Sequence, residues 1–189
     1  MPIDHFNLLA GFYDQVGQYS ATEPLLGLLS LSPSSLLLDA GGGTGRIAAA
    51  LRGMVSDVYV ADSSRGMLRR AVRKGLSTVC APAECLPFLS ESFDRVIMVD
   101  ALHHVLDQKQ TIRELWRVLI PGGRIVIVEP DIRHFTVKLI AAGEKMLLMS
   151  SHFLSNEEIN SLFSGFDAKI HVDYAGHNVF LVAEKVRRM

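Results

Sequence analysis

The stretch LLLDAGGGTGR, at residues 36–46, constrains the fold of this chain more than any other part of its sequence. An unbroken apolar run of this kind is typical of a strand that is buried on both faces of a parallel sheet. The glycines that follow permit backbone conformations closed to most residues, and they let a ligand approach bare main chain. Since ligands of open α/β sheets bind beyond the carboxyl ends of the strands, the stretch predicts a binding turn directly after a first strand.

Short apolar segments and helical patterns alternate along most of the chain. The predicted strands are residues 35–40, 57–62, 77–81, 93–100 and 124–130, and the predicted helices are residues 46–54, 64–74 and 110–119. A capping-box pattern from Ser155 to Glu158 predicts a further helix that ends at Phe163. Residues 168–174 and 178–185, joined by a tight link, predict an antiparallel hairpin. This order of elements indicates an α/β domain with a mixed sheet.

Composition limits the classes of protein to which the chain can belong. With 189 residues, of which 49% are hydrophobic, it is long enough for one domain with a sizeable core. The formal net charge of −1 gives no reason to expect a nucleic-acid partner. No run of about 18 apolar residues predicts a membrane span, and the N-terminus lacks the basic start of a signal peptide. Since two cysteines are too few for a disulfide scaffold, we expect a soluble, cytoplasmic protein.

The glycine spacing separates two kinds of nucleotide-binding turn. The dinucleotide fingerprint GxGxxG, counted from Gly41, would need glycine or alanine where Arg46 stands, which argues against a nicotinamide-dependent dehydrogenase. The pattern present is Gly41-x-Gly43-x-Gly45, preceded by Asp39. In this respect the stretch resembles motif I of the class I S-adenosylmethionine-dependent methyltransferases.

Two later segments strengthen the resemblance. AECLPFLSESFDRVIMVDALHHV at residues 83–105 and ELWRVLIPGGRIVIVEP at residues 114–130 are similar to the small-molecule branch of that family, methyltransferase type 11, which includes ubiquinone and menaquinone C-methyltransferases. The similarity extends over roughly residues 12–130. It implies a Rossmann-like sandwich with helices on both faces of a seven-stranded mixed sheet, in the order 3-2-1-4-5-7-6, whose last inserted strand is antiparallel.

The resemblance implies S-adenosylmethionine as the cofactor and S-adenosylhomocysteine as its product. The methionine and ribose region would be lined by an acid and three glycines: Asp39, Gly41, Gly43 and Gly45. Asp62, at the end of the second predicted strand, would accept hydrogen bonds from both ribose hydroxyls, with Ser63 beside it. Alternatively, Asp62 only caps the helix that follows.

The adenine end departs from the family pattern at one position. The family often carries an aspartate before the Ala83–Glu84 pair, and Pro82 stands there instead. Since proline offers no acceptor side chain, we expect the backbone near Ala83, the carboxylate of Glu84 or apolar packing to hold adenine. Met67 is a candidate for that packing, and it is equally a candidate core residue. The resemblance also implies that Tyr13 would lie near the methionine end or close over it as a lid, and the alternative is a packed aromatic residue.

Titratable side chains follow the fourth and fifth predicted strands, whose carboxyl ends lie side by side in the expected topology. We predict His104 and Asp100 as the catalytic residues. His104 would face the substrate as a base, while Asp100 would act as a base or hold the ammonium group of the cofactor. One histidine of the pair, His103 in our interpretation, is expected to pack or hydrogen-bond internally.

The same region raises the hypothesis of a divalent-ion site. Enough oxygen and imidazole ligands are present for one: Asp100, His104, Glu129, Asp131 and His134. We nevertheless expect no metal, because a sulfonium methyl group is already activated and its transfer mainly requires alignment.

One domain is expected over residues 1–189, with a helical lead-in at 1–30 and a helical substrate-covering segment at 132–165. Within that segment, residues 137–153 are rich in Leu, Ile and Met. They predict an apolar wall over a hydrophobic substrate, or an outer helix or homodimer face. A run of basic residues on the second predicted helix is interpreted as a solvated face: Arg65, Arg69, Arg70, Arg73 and Lys74.

These patterns together predict an enzyme that transfers a methyl group to a small, apolar or aromatic metabolite by in-line displacement. The alternative is a non-catalytic module or accessory subunit that binds S-adenosylmethionine or S-adenosylhomocysteine. The two hypotheses share the cofactor turn and differ only in whether an acceptor is bound and methylated.

Overall fold

The computed structural model describes residues 22–131, 133, 152 and 154–187. Seven strands form one sheet in the order β3-β2-β1-β4-β5-β7-β6. The strands are β1 (Leu36–Ala40), β2 (Asp57–Asp62), β3 (Ser77–Cys80), β4 (Phe93–Val99), β5 (Leu119–Pro130), β6 (Ala168–Ala175) and β7 (Asn178–Lys185). Strands β1 to β5 are parallel, and β7 runs antiparallel to both β5 and β6. The predicted fold class, sheet order and antiparallel inserted strand are confirmed.

Helices cover both faces of the sheet. Within the described ranges they are α1 (Thr22–Leu29), α2 (Arg46–Leu51), α3 (Arg65–Arg73), α4 (Gln108–Val118) and α5 (Asn156–Ser161), with 3₁₀ turns at Arg52–Met54 and Leu102–His104. Helices α1, α2 and α3 pack on one face, and α4 and α5 pack on the other. Successive strand side chains point to opposite faces. Leu37 and Leu38 of β1 therefore belong to different apolar clusters, and both are fully buried.

Polar side chains fix where the helices begin. The Ser64 hydroxyl accepts a hydrogen bond from the Met67 N–H and starts α3, and the Asp107 carboxylate starts α4 in the same way. Ser155 and Glu158 form the predicted capping box of α5, in which each side chain accepts a hydrogen bond from the other residue's backbone N–H. Since each cap joins residues that are close in sequence, helix starts can be predicted from local patterns.

Strand β5 is longer than the sequence predicts. It begins at Leu119, which pairs with Phe93 on β4 before the Pro-Gly-Gly segment that was expected to precede the strand. The register then shifts, and the ladder resumes with Arg124 opposite Arg95. The Pro-Gly-Gly segment thus bulges from the ladder, a conformation that suits Gly122 at a φ of 83°.

Several predictions lie outside the described residues. These are the lead-in before residue 22, Tyr13, His134 and, apart from residues 133, 152 and 154–165, the segment expected to cover the substrate. The extent of the domain over residues 1–189 stays a prediction. No helix in the described ranges is both long enough and apolar enough to cross a bilayer.

Candidate functional site

The turn after β1 contains three glycines in the left-handed region. Gly41, Gly43 and Gly45 have φ angles of 68°, 54° and 70°, which side chains rarely tolerate. A Cβ at Gly41 would lie 2.7 Å from the Cβ of Ala101, and one at Gly45 would collide with Leu76. Gly41 and Gly45 therefore allow close packing.

Gly43 differs, because no atom of the protein lies close to the position that its side chain would occupy. A Cβ there would meet no atom closer than the Asp62 Oδ2 and the Met67 sulfur, both at 3.9 Å. The main chain at Gly43 is consequently open on a side that the Asp62 carboxylate and the Met67 thioether border.

The N–H groups of this turn are already hydrogen-bonded within the protein. Those of Gly41 and Gly42 donate to the Ala61 carbonyl at 2.7 and 3.3 Å. The Gly43 N–H donates to Asp62 Oδ2 at 2.9 Å, and the Gly45 N–H donates to the Gly42 carbonyl at 2.8 Å. Phosphate-binding turns work by offering free N–H donors to an anion. With its donors engaged and carboxylates beside it, this turn suits a neutral or cationic ligand better than a pyrophosphate.

Asp39 is the most unusual carboxyl group near the turn. It is 2% exposed, and its Oδ2 has no hydrogen-bond partner among the described residues. Burial raises the pKa of Asp39 to about 7, and the negative charge of Asp62 contributes to that rise. A hydrogen bond from the Ala48 N–H and the positive charge of Arg46 both lower the pKa of Asp39, but by less. A cation beside this carboxyl group would therefore both fill an unmet interaction and ionise it.

Gly42 makes the position of Asp39 possible, although the glycine pattern of the sequence indicates no role for it. A Cβ at Gly42 would lie 2.5 Å from the carboxyl carbon of Asp39 and 2.6 and 2.8 Å from its oxygens. The sequence signal was a fourth glycine where the family pattern demands only three.

Asp62 supports the start of the helix that follows it, and its role toward the ribose hydroxyls stays a prediction. Besides accepting from Gly43, its carboxylate accepts the Ser64 N–H at 2.7 Å through Oδ1, and so it braces the start of α3. Each carboxylate oxygen offers more than one acceptor site. The half-buried side chain thus retains capacity for ligand hydroxyls. Ser63 is exposed, and Ser64 is the residue that caps α3.

The residues expected near adenine are partly engaged elsewhere. Met67 and Ala83 are buried, at 5% and 8% exposure. The Glu84 carboxylate accepts hydrogen bonds from the N–H groups of Leu106 and Asp107, at 2.8 and 3.4 Å. Glu84 therefore ties the turn after β3 to the segment that leads into α4.

Asp100, at the end of β4, has a backbone conformation that is rare for a non-glycine residue. Its φ is 51°, and its N–H donates to the Val128 carbonyl at 2.9 Å. Burial, followed by Glu129, raises the pKa of Asp100 to about 6, while His103 and Arg46 lower it. No described residue donates a hydrogen bond to its carboxylate, so its oxygens keep their capacity to accept hydrogen bonds from a ligand.

His103 and Glu129 form a buried pair beneath Asp100. Their side chains are each 4% exposed, and His103 Nδ1 lies 2.5 Å from Glu129 Oε2. The other oxygen of Glu129 accepts the N–H groups of Ala101 and Leu102 at 3.1 and 2.8 Å. A side chain from β5 thereby holds the whole turn that follows β4.

His104 stacks on His103, with ring centroids 3.9 Å apart and planes tilted by 50°. Burial, with a further contribution from His103, lowers the pKa of His104 to about 3. Its imidazole is therefore neutral at physiological pH and only weakly basic. Such a ring is better suited to contact an apolar group than to remove a proton.

The proposed metal ligands are not gathered into a metal site in the described part of the chain. No group of three or more His, Cys, Asp or Glu side chains there is arranged to hold an ion. Glu129 is engaged with His103, and Asp131 accepts a forked pair of hydrogen bonds from Arg133. His134 lies outside the described residues.

A methyltransferase-domain family model matches residues 38–127, which contain the glycine turn, Asp62 and the turn after β4. Among curated proteins, a ubiquinone/menaquinone biosynthesis C-methyltransferase UbiE from Stenotrophomonas maltophilia is 38% identical over 110 residues, 52% of this chain and 44% of that protein. A demethylmenaquinone methyltransferase from Mycolicibacterium vanbaalenii is 37% identical over 121 residues, which are 64% of this chain and 52% of that protein. The chain thus spans about half the length of these relatives.

The fold has counterparts among solved structures. A methyltransferase solved in complex with the Haloferax volcanii Trm112 methyltransferase activator superposes with a TM-score of 0.85 at 17% identity, covering 97% of this chain and 99% of that chain. Sheet order, motif order and the family match agree with one another. Residues 38–127, slightly less than half of this chain, thus match a methyltransferase domain, and the sheet order is the one that the resemblance to the class I family predicts.

Proposed function

We propose that this chain transfers a methyl group from S-adenosylmethionine to a small, apolar or aromatic acceptor. The observation that carries the proposal is the turn after β1, where internally bonded N–H groups, an open main chain at Gly43 and the buried carboxyl group of Asp39 favour a cationic nucleoside. The match of residues 38–127 to a methyltransferase domain supports it.

Each part of this cofactor has a suitable partner among the residues around the turn. Asp62 would accept the ribose hydroxyls with its remaining acceptor sites, and Met67 would pack against the base. Asp39 and Asp100 would face the positively charged end, with Gly41, Gly43 and Gly45 keeping the main chain close. Ala83, Glu84 and Ser63 would border the adenine and ribose region. When bound, S-adenosylmethionine supplies a methyl group activated by its sulfonium.

The carboxylates serve binding more than acceleration. A carboxylate against a cation that is neutralised during reaction stabilises the starting state more than the transition state. The protein therefore accelerates transfer chiefly by aligning the acceptor and excluding water, and alignment can supply roughly 7–11 kcal/mol of the barrier.

An acceptor that must lose a proton needs a base, and Asp100 suits that role better than His104. With a pKa of about 6, Asp100 is largely ionised at neutral pH and still basic enough to accept a proton. His104, with a pKa of about 3, would act as a neutral ring beside the acceptor.

Two relatives support a choice of acceptor class, because one is named a ubiquinone/menaquinone biosynthesis C-methyltransferase and the other a demethylmenaquinone methyltransferase. We infer an aromatic, quinol-like acceptor methylated at carbon or at a neighbouring heteroatom, in a domain whose residues 132–165 cover the substrate. No metal is needed for this reaction, since the methyl group arrives activated.

Calorimetric titration tests the cofactor half of the proposal. S-adenosylmethionine and S-adenosylhomocysteine are expected to bind and NAD is not. Asp62→Ala should weaken binding by about 10–100-fold, since hydrogen bonds to a charged group contribute about 1.5–3 kcal/mol. Asp57→Ala is the matched control, because Asp57 begins the same strand and also accepts a backbone N–H, at 2.8 Å. Equal affinities for the two variants would contradict the assignment.

Transfer of labelled methyl groups tests the catalytic half. Purified protein, labelled S-adenosylmethionine and a panel of reduced aromatic acceptors should yield label in an organic extract. Tight cofactor binding without transfer to any acceptor or metabolite pool would favour the non-catalytic binding module instead.

A further inference from the structure

Charge is distributed unevenly over the molecule. Residues 40–83 contain seven Lys and Arg residues but only two Asp and Glu residues. The rest of the chain contains 12 Lys and Arg residues and 18 Asp and Glu residues. Six of these cations lie on α2, the following 3₁₀ turn and α3, which cover one face of the sheet, and the seventh, Lys74, directly follows α3. A protein with a net charge of −1 therefore carries a strongly positive layer.

Helix α3 presents these charges in an ordered way. Arg65, Arg69 and Arg73 are four residues apart, so they form one row on the helix, and all three are exposed. Val72, beside this row, is 56% exposed. The opposite side of the helix is buried against the sheet through Met67, Leu68 and Ala71.

The neighbouring 3₁₀ turn extends the same surface. Arg52 donates hydrogen bonds to the carbonyls of Lys74 and Gly75, and so it fixes the turn against the end of α3. The turn ends at Met54, whose side chain is 46% exposed. We call the surface formed by Arg65, Arg69, Val72, Arg73 and Met54 the basic face.

The charges of the row are not neutralised within the described part of the chain. The sequence has no acidic residue between Asp62 and Glu84. No ion pair joins Arg65, Arg69 or Arg73 to an acidic side chain of the described residues. Like charges four residues apart destabilise a helix slightly, so this row lowers the stability of α3.

The side chains of the basic face favour an anionic bilayer over a nucleic acid as its ligand. Residues 63–83 contain no aromatic side chain that could stack on exposed nucleic-acid bases. Two apolar side chains are exposed there instead, Val72 beside the arginine row and Met54 on the adjoining 3₁₀ turn. Cationic groups mixed with apolar side chains are typical of surfaces that lie on anionic bilayers.

We propose that the basic face docks the protein reversibly onto an anionic lipid bilayer. The arginine row contacts lipid phosphates, and Val72 and Met54 enter the headgroup region. The described helices contain no bilayer span, so the attachment is peripheral. This inference is independent of the proposed function, because docking requires neither cofactor nor acceptor.

Sedimentation with vesicles tests the proposal on the full chain without added cofactor. The protein should co-sediment with vesicles of phosphatidylcholine and phosphatidylglycerol, and much less with phosphatidylcholine alone. Binding should weaken strongly from about 0.1 M to 1 M salt, where the screening length falls from about 10 Å to 3 Å.

A charge-matched pair of variants locates the surface. The vesicle partition coefficient should fall about 100-fold in the triple variant Arg65→Gln/Arg69→Gln/Arg73→Gln. Each charge removed is expected to lower it about fivefold, because one basic residue near an anionic surface contributes about 1 kcal/mol. The control, Lys109→Gln/Arg113→Gln/Lys169→Gln, removes three exposed charges outside the basic face and should have little effect. Thermal melting verifies that both variants are folded.

Three results would overturn the proposal. They are a failure to bind anionic vesicles, an equal loss for the two triple variants, and a clear preference for duplex DNA or RNA over vesicles at the same salt concentration. Val72→Ser separates docking with apolar contact from pure charge attraction. It should lower vesicle binding several-fold without changing the salt dependence, and an unchanged affinity would contradict apolar entry into the headgroups.

Discussion

Two neighbouring parts of the candidate site are built in opposite ways. The turn after β1 consists of glycines and main chain, and its hydrogen bonds join residues on β1, β2 and the loop itself. The turn after β4 is held by side chains, because Glu129 binds His103 and the N–H groups of Ala101 and Leu102. Changes in the first turn should therefore affect ligand binding as well as folding, and changes beneath the second should mainly affect folding.

Glu129→Ala should give the largest effect. It removes the carboxylate from a buried pair and leaves His103 and two N–H groups without their acceptor, so the free energy of unfolding should fall by about 3–5 kcal/mol in urea titrations. Glu184→Ala is the control, because it removes a half-exposed ion pair with Arg124 and should cost less than about 1 kcal/mol. Similar losses for the two variants would show that Glu129 does not hold the turn.

Gly41→Ala and Gly43→Ala sharpen the comparison within the first turn. Both force alanine into the left-handed region, at about 1–2 kcal/mol of unfolding free energy. Gly41→Ala also drives a methyl group against Ala101, which adds about 1–3 kcal/mol. Gly43→Ala should instead cost more in cofactor affinity, measured by titration of the folded variants. The reverse ranking of the two variants would refute our assignment of Gly43 to the side of the turn that faces the cofactor.

The pH dependence links the two turns. The pKa values of Asp39 and Asp100 rise from 3.8 to about 7 and about 6 on folding. In the ligand-free protein these groups stabilise the fold fully below pH 3.8, and that contribution is lost as the pH rises through 6 and 7.

A cationic cofactor prefers the ionised carboxyl groups, so its affinity should rise at least about tenfold between pH 5 and pH 8. Calorimetry in buffers of different ionisation enthalpy should show proton release on binding near pH 6. Asp39→Asn should flatten the dependence, and an unchanged profile would exclude Asp39 from the response.

His104→Phe should give the smallest effect. A ring that only contacts the acceptor is replaced by another ring, so kcat/KM should fall less than about tenfold, whereas removal of a general base costs about 10²–10⁴-fold. Asp100→Asn is the companion variant, and it should cause the larger loss with an acceptor that must be deprotonated. A loss of the larger size for His104→Phe would restore it as the base.

The contrast between the turns also explains what the sequence could predict. Strands, helix caps and the glycine turn depend on neighbours in the sequence, and the local pattern around Asp39 and Ser155 was sufficient to place them. The pairing of His103 with Glu129 joins residues 26 positions apart, and nothing near either residue indicates the other.

Two further features needed coordinates for physical reasons. Gly42 is required by the path of the Asp39 side chain, which a one-dimensional pattern does not contain. The extension of β5 to Leu119 depends on Phe93 of the neighbouring strand, so the local Pro-Gly-Gly signal correctly indicated a break and misplaced the start of the strand.

The insertion of β7 between β5 and β6 has a consequence for how the chain is made. In the sheet, β6 has β7 as its only described neighbour, although β6 leaves the ribosome first. Residues 168–175 must therefore wait unpaired until residues 178–185 have been synthesised. A premature stop between the two strands would leave β6 with no partner and uncover the apolar edge of β5, so that nascent chains of this length should depend on chaperones to stay out of aggregates.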